Sequence, residues 1–159
     1  MLKYAIAPLF AGLALSLAPQ GLAAGQGEEG EARLSVAYEG QRYFLVRALE
    51  GDELEELLSG NTMMFIHPNG LEVEFHRENG QTANGWAEQD EAKSGFWQVE
   101  GDEVCWTYNS GTHCKPMWTT EREDLYAQVP GWYDGPLGAL WEQGDSRNMM
   151  DRPVSGNAI

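Results

Sequence analysis

The sequence predicts an all-β protein, an antiparallel up-and-down meander with one short helix near its start. Two observations carry this. Turn signals recur at Asn69-Gly70, Asn79-Gly80, Gly101-Asp102, Asn109-Ser110, Pro130-Gly131 and Asp134-Gly135. Between them lie runs of roughly 6 to 8 residues rich in aromatic and β-branched types, the spacing of consecutive strands. A third observation, the apolar periodicity of Leu54, Leu57 and Leu58, marks the one helix.

Residues 1–24 read as a secretory signal peptide: Lys3 at the start, an apolar run of mostly small residues, then Gly-Leu-Ala-Ala, with cleavage expected after Ala23 or Ala24. Pro8 and Pro19 interrupt the run, which is short for a spanning helix of about 20 apolar residues, so a membrane anchor is not expected. No cysteine closely follows it to take a lipid. The product is expected to be exported, periplasmic or secreted. Residues 25–33, "GQGEEGEAR", have no apolar anchor and read as a disordered acidic tail.

The chain carries 10 basic and 25 acidic residues, a net charge of −15; losing Lys3 with the leader leaves about −16. A surface so acidic repels nucleic-acid phosphates and anionic lipids. It suits solubility outside the cytoplasm, or steering toward a cationic partner.

Residues 34–145 form the expected domain, with 146–159 as a C-terminal tail. "LSVAYEGQRYFLVRA" reads as two short strands about Glu39-Gly40, or as an extended lead-in. In "GDELEELLSGN", Asp52 can cap a helix whose Glu53, Glu55 and Glu56 lie near its positive end, and Gly60 stops it. Asn-Gly suits a tight hairpin because both residues tolerate positive φ. A loop at Asn69-Gly70 sets His67 opposite Glu72, Phe65 opposite Glu74 and Met64 opposite Val73. One face then holds Thr62, Met64, Ile66, Leu71, Val73 and Phe75, nearly all apolar. The other holds Met63, Phe65, His67, Glu72, Glu74 and His76, and Glu72 and Glu74 are expected to point outward. Continuing through Asn79-Gly80 sets Val73 across from Trp86, which reads as core.

In "GFWQVEGDEVCWTYNSGTHCKPMW", a turn at Gly101-Asp102 pairs Val99 with Val104 and Trp97 with Trp106. A turn at Asn109-Ser110 brings Cys105 opposite Cys114. Facing positions, an export signal and a cysteine count of two predict a disulfide rather than free thiols.

"LLSGNTM", "ENGQT" and "SGFWQVEGDEVCWTY" with a second cysteine within ten residues resemble a pattern in secreted proteins of alphaproteobacteria grouped as a domain of unknown function. The likeness covers about residues 54 to 118. It implies an exported, lipocalin-like small barrel, of about eight strands here, and no assigned activity, catalytic residue or cofactor.

His67, His76 and His113 lack metal-ligand spacing, and the register sets His67 and His76 apart on the first hairpin. His113 beside Cys114 suggests a nucleophile pair, but a disulfide-bonded cysteine cannot attack. No nucleophile elbow, phosphate loop or calcium loop is present, so no enzyme is expected. The expected function is non-enzymatic binding: docking a cationic protein or envelope polymer through the acidic exterior. The alternative is carriage of a small apolar ligand inside the barrel, where Val73, Phe75, Trp86, Trp97 and Trp106 either line a cavity or fill it.

Overall fold

The structure is a computed structural model that describes residues 33–131 and 135–155. The expected signal peptide and all of the acidic tail but Arg33 lie outside these residues.

The chain is all-β, as predicted, but the sheet is not a closed barrel and has more strands than expected. A hairpin of β1 (Ser35–Tyr38) and β2 (Gln41–Ala48) leads into the helix α1 (Gly51–Leu58). Six strands then follow as a meander: β3 (Asn61–His67), β4 (Gly70–His76), β5 (Gln81–Trp86), β6 (Lys93–Glu100), β7 (Glu103–Tyr108) and β8 (Gly111–Lys115). The last three, β9 (Met117–Thr120), β10 (Leu125–Gln128) and β11 (Leu137–Glu142), insert between β2 and β3. The order across the sheet is β1-β2-β9-β10-β11-β3-β4-β5-β6-β7-β8. Among the described residues no ladder joins β1 to β8, so the sheet stays open.

It nevertheless curls tightly. Phe65 on β3 and Trp106 on β7 are separated by four ladder steps, about 19 Å along a flat sheet. Their rings meet edge to face at 6.1 Å. The face they share is therefore the concave one. It carries the main core, with Met63, Phe65, Trp97, Val104, Trp106, Met117, Leu137 and Ala139 packed against Leu54 and Leu58 of the helix. Two further apolar clusters, one around Met64, Val73 and Met149 and one around Val36, Leu125 and Ala127, cover the other face. Both faces of β3 and β4 are thus buried, which overturns the expectation of one polar, outward face.

The helix begins two residues earlier than predicted. Glu50, not Asp52, is its N-cap residue, and Glu53 accepts the Glu50 N–H at 2.9 Å. Gly60, at φ +73°, ends it as expected. Gly51 seats the helix start on the β6–β7 turn: its N–H donates to Asp102 Oδ1 at 3.1 Å, and a Cβ there would fall 2.4 Å from the Gly101 carbonyl oxygen.

The turns set the registers. The Glu39-Gly40, Gly101-Asp102 and Asn109-Ser110 hairpins are as predicted, with Tyr38 opposite Gln41, Trp97 opposite Trp106 and Cys105 opposite Cys114. The cysteines are disulfide-bonded, with Cα atoms 3.9 Å apart. The first Asn-Gly hairpin turns on Pro68-Asn69, so Phe65 faces Glu72 and Met63 faces Glu74, while Met64 faces Val73 as expected. That two-residue offset leaves the faces unchanged. The Asn79-Gly80 hairpin differs by an odd number: five residues separate the facing pair His76 and Thr82, and within them the Gly80 N–H donates to the Arg77 carbonyl at 3.0 Å. Trp86 consequently faces Glu72, and Val73 faces Gly85. A one-residue slip exchanges the faces of a strand.

Residues 146–155, read as a tail, lie against the sheet. Asp145 accepts the N–H groups of Met149 and Met150 at 2.7 and 3.0 Å and holds a short 3₁₀ turn, which buries Met149. Val154 bridges Ala92, and Arg152 donates to the Trp86 and Gln89 carbonyls.

Candidate ligand-binding site

The odd loop at Asn79-Gly80 places Thr82, Asn84 and Trp86 on the same face as Glu72, Glu74 and His76. Because the sheet curls, that face lies inside, and a polar network forms there. Glu74 is 4% exposed, not outward as expected. Its Oε1 accepts from Thr82 Oγ1 at 2.9 Å and from the Tyr108 hydroxyl across the curl. Glu72 accepts from Asn84 Nδ2 at 2.7 Å and meets His67 Nε2 at 2.8 Å. The indole N–H of Trp106 donates to His76 Nε2 at 2.9 Å.

Tyr108 reaches Glu74 because Gly95 lies beneath its ring: a Cβ on Gly95 would fall 2.5 Å from Tyr108 Cε1. Glycine is required here by closeness, not by a turn.

Burial governs the electrostatics. Burial pushes the Glu74 carboxyl up to about 8; hydrogen bonds from Tyr108 and Thr82 oppose this, and the Glu72 charge adds to it. Burial also pulls His76 down to about 3, so it is neutral and accepts from Trp106. Its 3.9 Å approach to Glu74 is therefore not an ion pair. The Tyr108 phenol is held well above its ordinary value by burial and by Glu74.

This network floors a chamber of about 180 Å³. Phe65, Trp106 and Tyr108 wall it, Glu72, Glu74 and Asn84 supply oxygen-rich polar groups, and Lys93, Ser110, His113 and Lys115 also line it. Gln128 of β10 enters from the far side of the curl. It is 2% exposed, and its Oε1 has no hydrogen-bond partner. An unpaired buried carbonyl costs about 1–3 kcal/mol.

Of the five residues expected to line or fill the interior, Val73, Phe75, Trp86, Trp97 and Trp106, Trp106 alone is in the lining of this chamber. Trp97 is core, its indole donating to the Arg77 carbonyl at 2.8 Å. Val73 and Phe75 belong to the cluster on the opposite face. Trp86 is only partly buried, contrary to expectation, and sits edge to face with His67 at 5.3 Å. Glu72, Glu74 and Gln128 were not anticipated as site residues. Polar Glu74 within an apolar-flanked strand is a signal that sequence reading passed over; Gln128 offers none.

A grouping of potential metal ligands, Glu100 with Cys105 and Cys114, has both sulfurs committed to the disulfide. Among the described residues no helix is long and apolar enough to cross a membrane. No family model, curated protein or solved structure matches the chain.

Proposed function

We propose that this is an exported binding protein whose chamber, not its acidic exterior, takes a compact small molecule. The observation that carries this is the chamber itself, walled by the rings of Phe65, Trp106 and Tyr108 over a floor of Glu72, Glu74 and Asn84. A concave, mostly aromatic space with a few convergent polar groups is the usual form of a small-molecule site. The volume is close to that of a cavity of about 150 Å³ that holds benzene. One ring with a short polar arm fits. The polar floor departs from the purely apolar ligand that a lipocalin-like carrier would take.

Export is supported by the amino-terminal sequence and by the Cys105–Cys114 disulfide, a bond that persists in oxidising compartments. A binding role, rather than catalysis, is supported by a network whose hydrogen bonds are internal and whose histidines are engaged, His76 by Trp106 and His67 by Glu72.

The test is a titration of tryptophan fluorescence with a panel of single-ring compounds, neutral, cationic and anionic. At least one should quench saturably at one site per chain, and Trp106→Phe should remove the signal while a thermal shift persists. A panel without any saturable binder sinks the reading.

A further inference from the structure

We propose that the chamber takes its ligand as an anion: a single ring bearing one carboxylate, which Lys115 holds while Phe65, Trp106 and Tyr108 pack the ring. This rests on the chamber being the ligand site. Beyond Lys3 the chain has two lysines, Lys93 and Lys115, and both line this chamber. Three arginines, Arg47, Arg122 and Arg147, hold carboxylates, whereas neither lysine has an ion-pair partner among the described residues. In a chain with 25 acidic residues, that is not for want of carboxylates.

The register separates the two lysines. Lys93 of β6 faces Asn84 and lies two residues before Gly95, the glycine beneath Tyr108. Lys115 of β8 faces Val104, which in turn faces Val99 of β6. Their levels thus differ by the span from Lys93 to Val99, about 20 Å along the strand. They enter the chamber from opposite ends, and one small carboxylate meets one of them. Lys93 is exposed and well hydrated; Lys115 is half-buried. A half-buried ammonium without a counterion carries a desolvation cost that an anion beside it offsets. A ring attached to that anion packs offset or edge to face on the three aromatic walls.

The floor leaves the positive charge standing. Burial pushes the Glu74 carboxyl up to about 8, so at neutral pH it sets no negative charge opposite the lysines. Glu72 has its own donor in Asn84 Nδ2 and meets His67 Nε2. The lining therefore holds two ammonium groups against at most one carboxylate charge. The net charge of −15 opposes an anion at a distance, but the screening length is about 8 Å at physiological salt. Inside the chamber the nearby lysines set the sign of the field.

The experiment compares benzoate, benzamide and benzylamine, single rings of like shape and different charge, with the full folded protein by calorimetry at pH 7. Benzoate should bind roughly tenfold or more above either of the others, the effect of one charge-assisted contact. Raising salt from about 0.1 M to about 1 M should weaken benzoate and leave benzamide unchanged. Lys115→Gln should remove the preference for benzoate and spare benzamide, Lys115→Arg should keep it, and Lys93→Gln should reduce it far less. Equal binding of benzamide, or preference for benzylamine, overturns the anion while the chamber stands as a ligand site; this comparison needs only the unmodified protein and serves if Lys115→Gln fails to fold. A preference that survives Lys115→Gln, or that Lys93→Gln removes as fully, overturns the role of Lys115. Failure of all three probes overturns the anion and the chamber together.

Discussion

Protonation of Glu74 makes the stability of the empty protein fall on the alkaline side, where most proteins hold steady. In the folded state its carboxyl titrates at about 8, against 4.5 for an exposed glutamate. Between those values the folded protein keeps a proton that the unfolded chain has lost, so stability declines as pH rises, by about 1.4 kcal/mol per unit. His76 acts in the opposite sense. Its folded value is about 3 against 6.5 unfolded, so its contribution is intact above pH 6.5 and is lost as pH falls toward 3. From pH 4.5 to 6.5 the two slopes cancel and stability is level. From 6.5 to 8 Glu74 acts alone and removes about 2 kcal/mol, equivalent to roughly 6 to 10 °C in melting temperature for a domain of this size.

The acid limb is shared with surface carboxylates held down by arginines, such as Glu53 beside Arg47 and Asp124 beside Arg122, and is not diagnostic. The alkaline limb is. Urea denaturation of ligand-free protein from pH 5 to 9 should show the plateau and the decline, whereas Glu74→Gln, left with His76 alone, should gain stability up to pH 6.5 and stay level from there to pH 8 and beyond. A wild-type curve flat between pH 6.5 and 8, or a Glu74→Gln curve that still declines, refutes the buried-carboxyl account.

Gly95→Ala pushes the Tyr108 ring off β6 and breaks its bond to Glu74, so both stability and single-ring ligand affinity should drop, measured by denaturation and by fluorescence titration. Reduction, or a Cys105→Ser, Cys114→Ser double variant, should cost about 2 to 3 kcal/mol without unfolding the protein, since the bridge closes a loop of only 9 residues in sequence separation. Leu54→Ala empties a fully buried site beneath the helix and should cost about 2 to 5 kcal/mol in urea denaturation. Mass spectrometry of protein recovered from the periplasm or medium should show a new amino terminus at Ala24 or Gly25; an intact Met1 there refutes export by a cleaved signal.

The parts of the fold legible in the sequence are those whose register a short turn dictates. Gly101-Asp102 and Asn109-Ser110 each join strands through a two-residue loop, so pairing Trp97 with Trp106 and Cys105 with Cys114 needed only local geometry. The insertion of β9 to β11 between β2 and β3 is non-local. No turn signals it, and with it Gln128 reaches the chamber from a segment that no hairpin connects to Glu74. The closed barrel was likewise a matter of strands meeting at a distance, which turn chemistry does not encode.

The site itself was hidden by two errors of different size. Alternation along β4 was read correctly, but alternation says only that Glu72, Glu74 and His76 share a face; which face is inside depends on the curl that brings Trp106 and Tyr108 over it. The second error was one residue long. An odd count of five residues between the facing pair His76 and Thr82, rather than an even one, moves Thr82, Asn84 and Trp86 from the Val73 face to the Glu74 face. Had β5 taken the predicted register, Ala83 and Gly85 would have faced Glu74, its bond from Thr82 and the Asn84 bond to Glu72 would be gone, and the buried carboxylates would have lost two of their donors. Gly80, at φ +82°, lies in the turn whose odd count delivers Thr82 and Asn84 to the acidic floor. Asn79-Gly80 was legible as a turn, and its consequence for the interior follows only once the loop is counted against the strand it delivers.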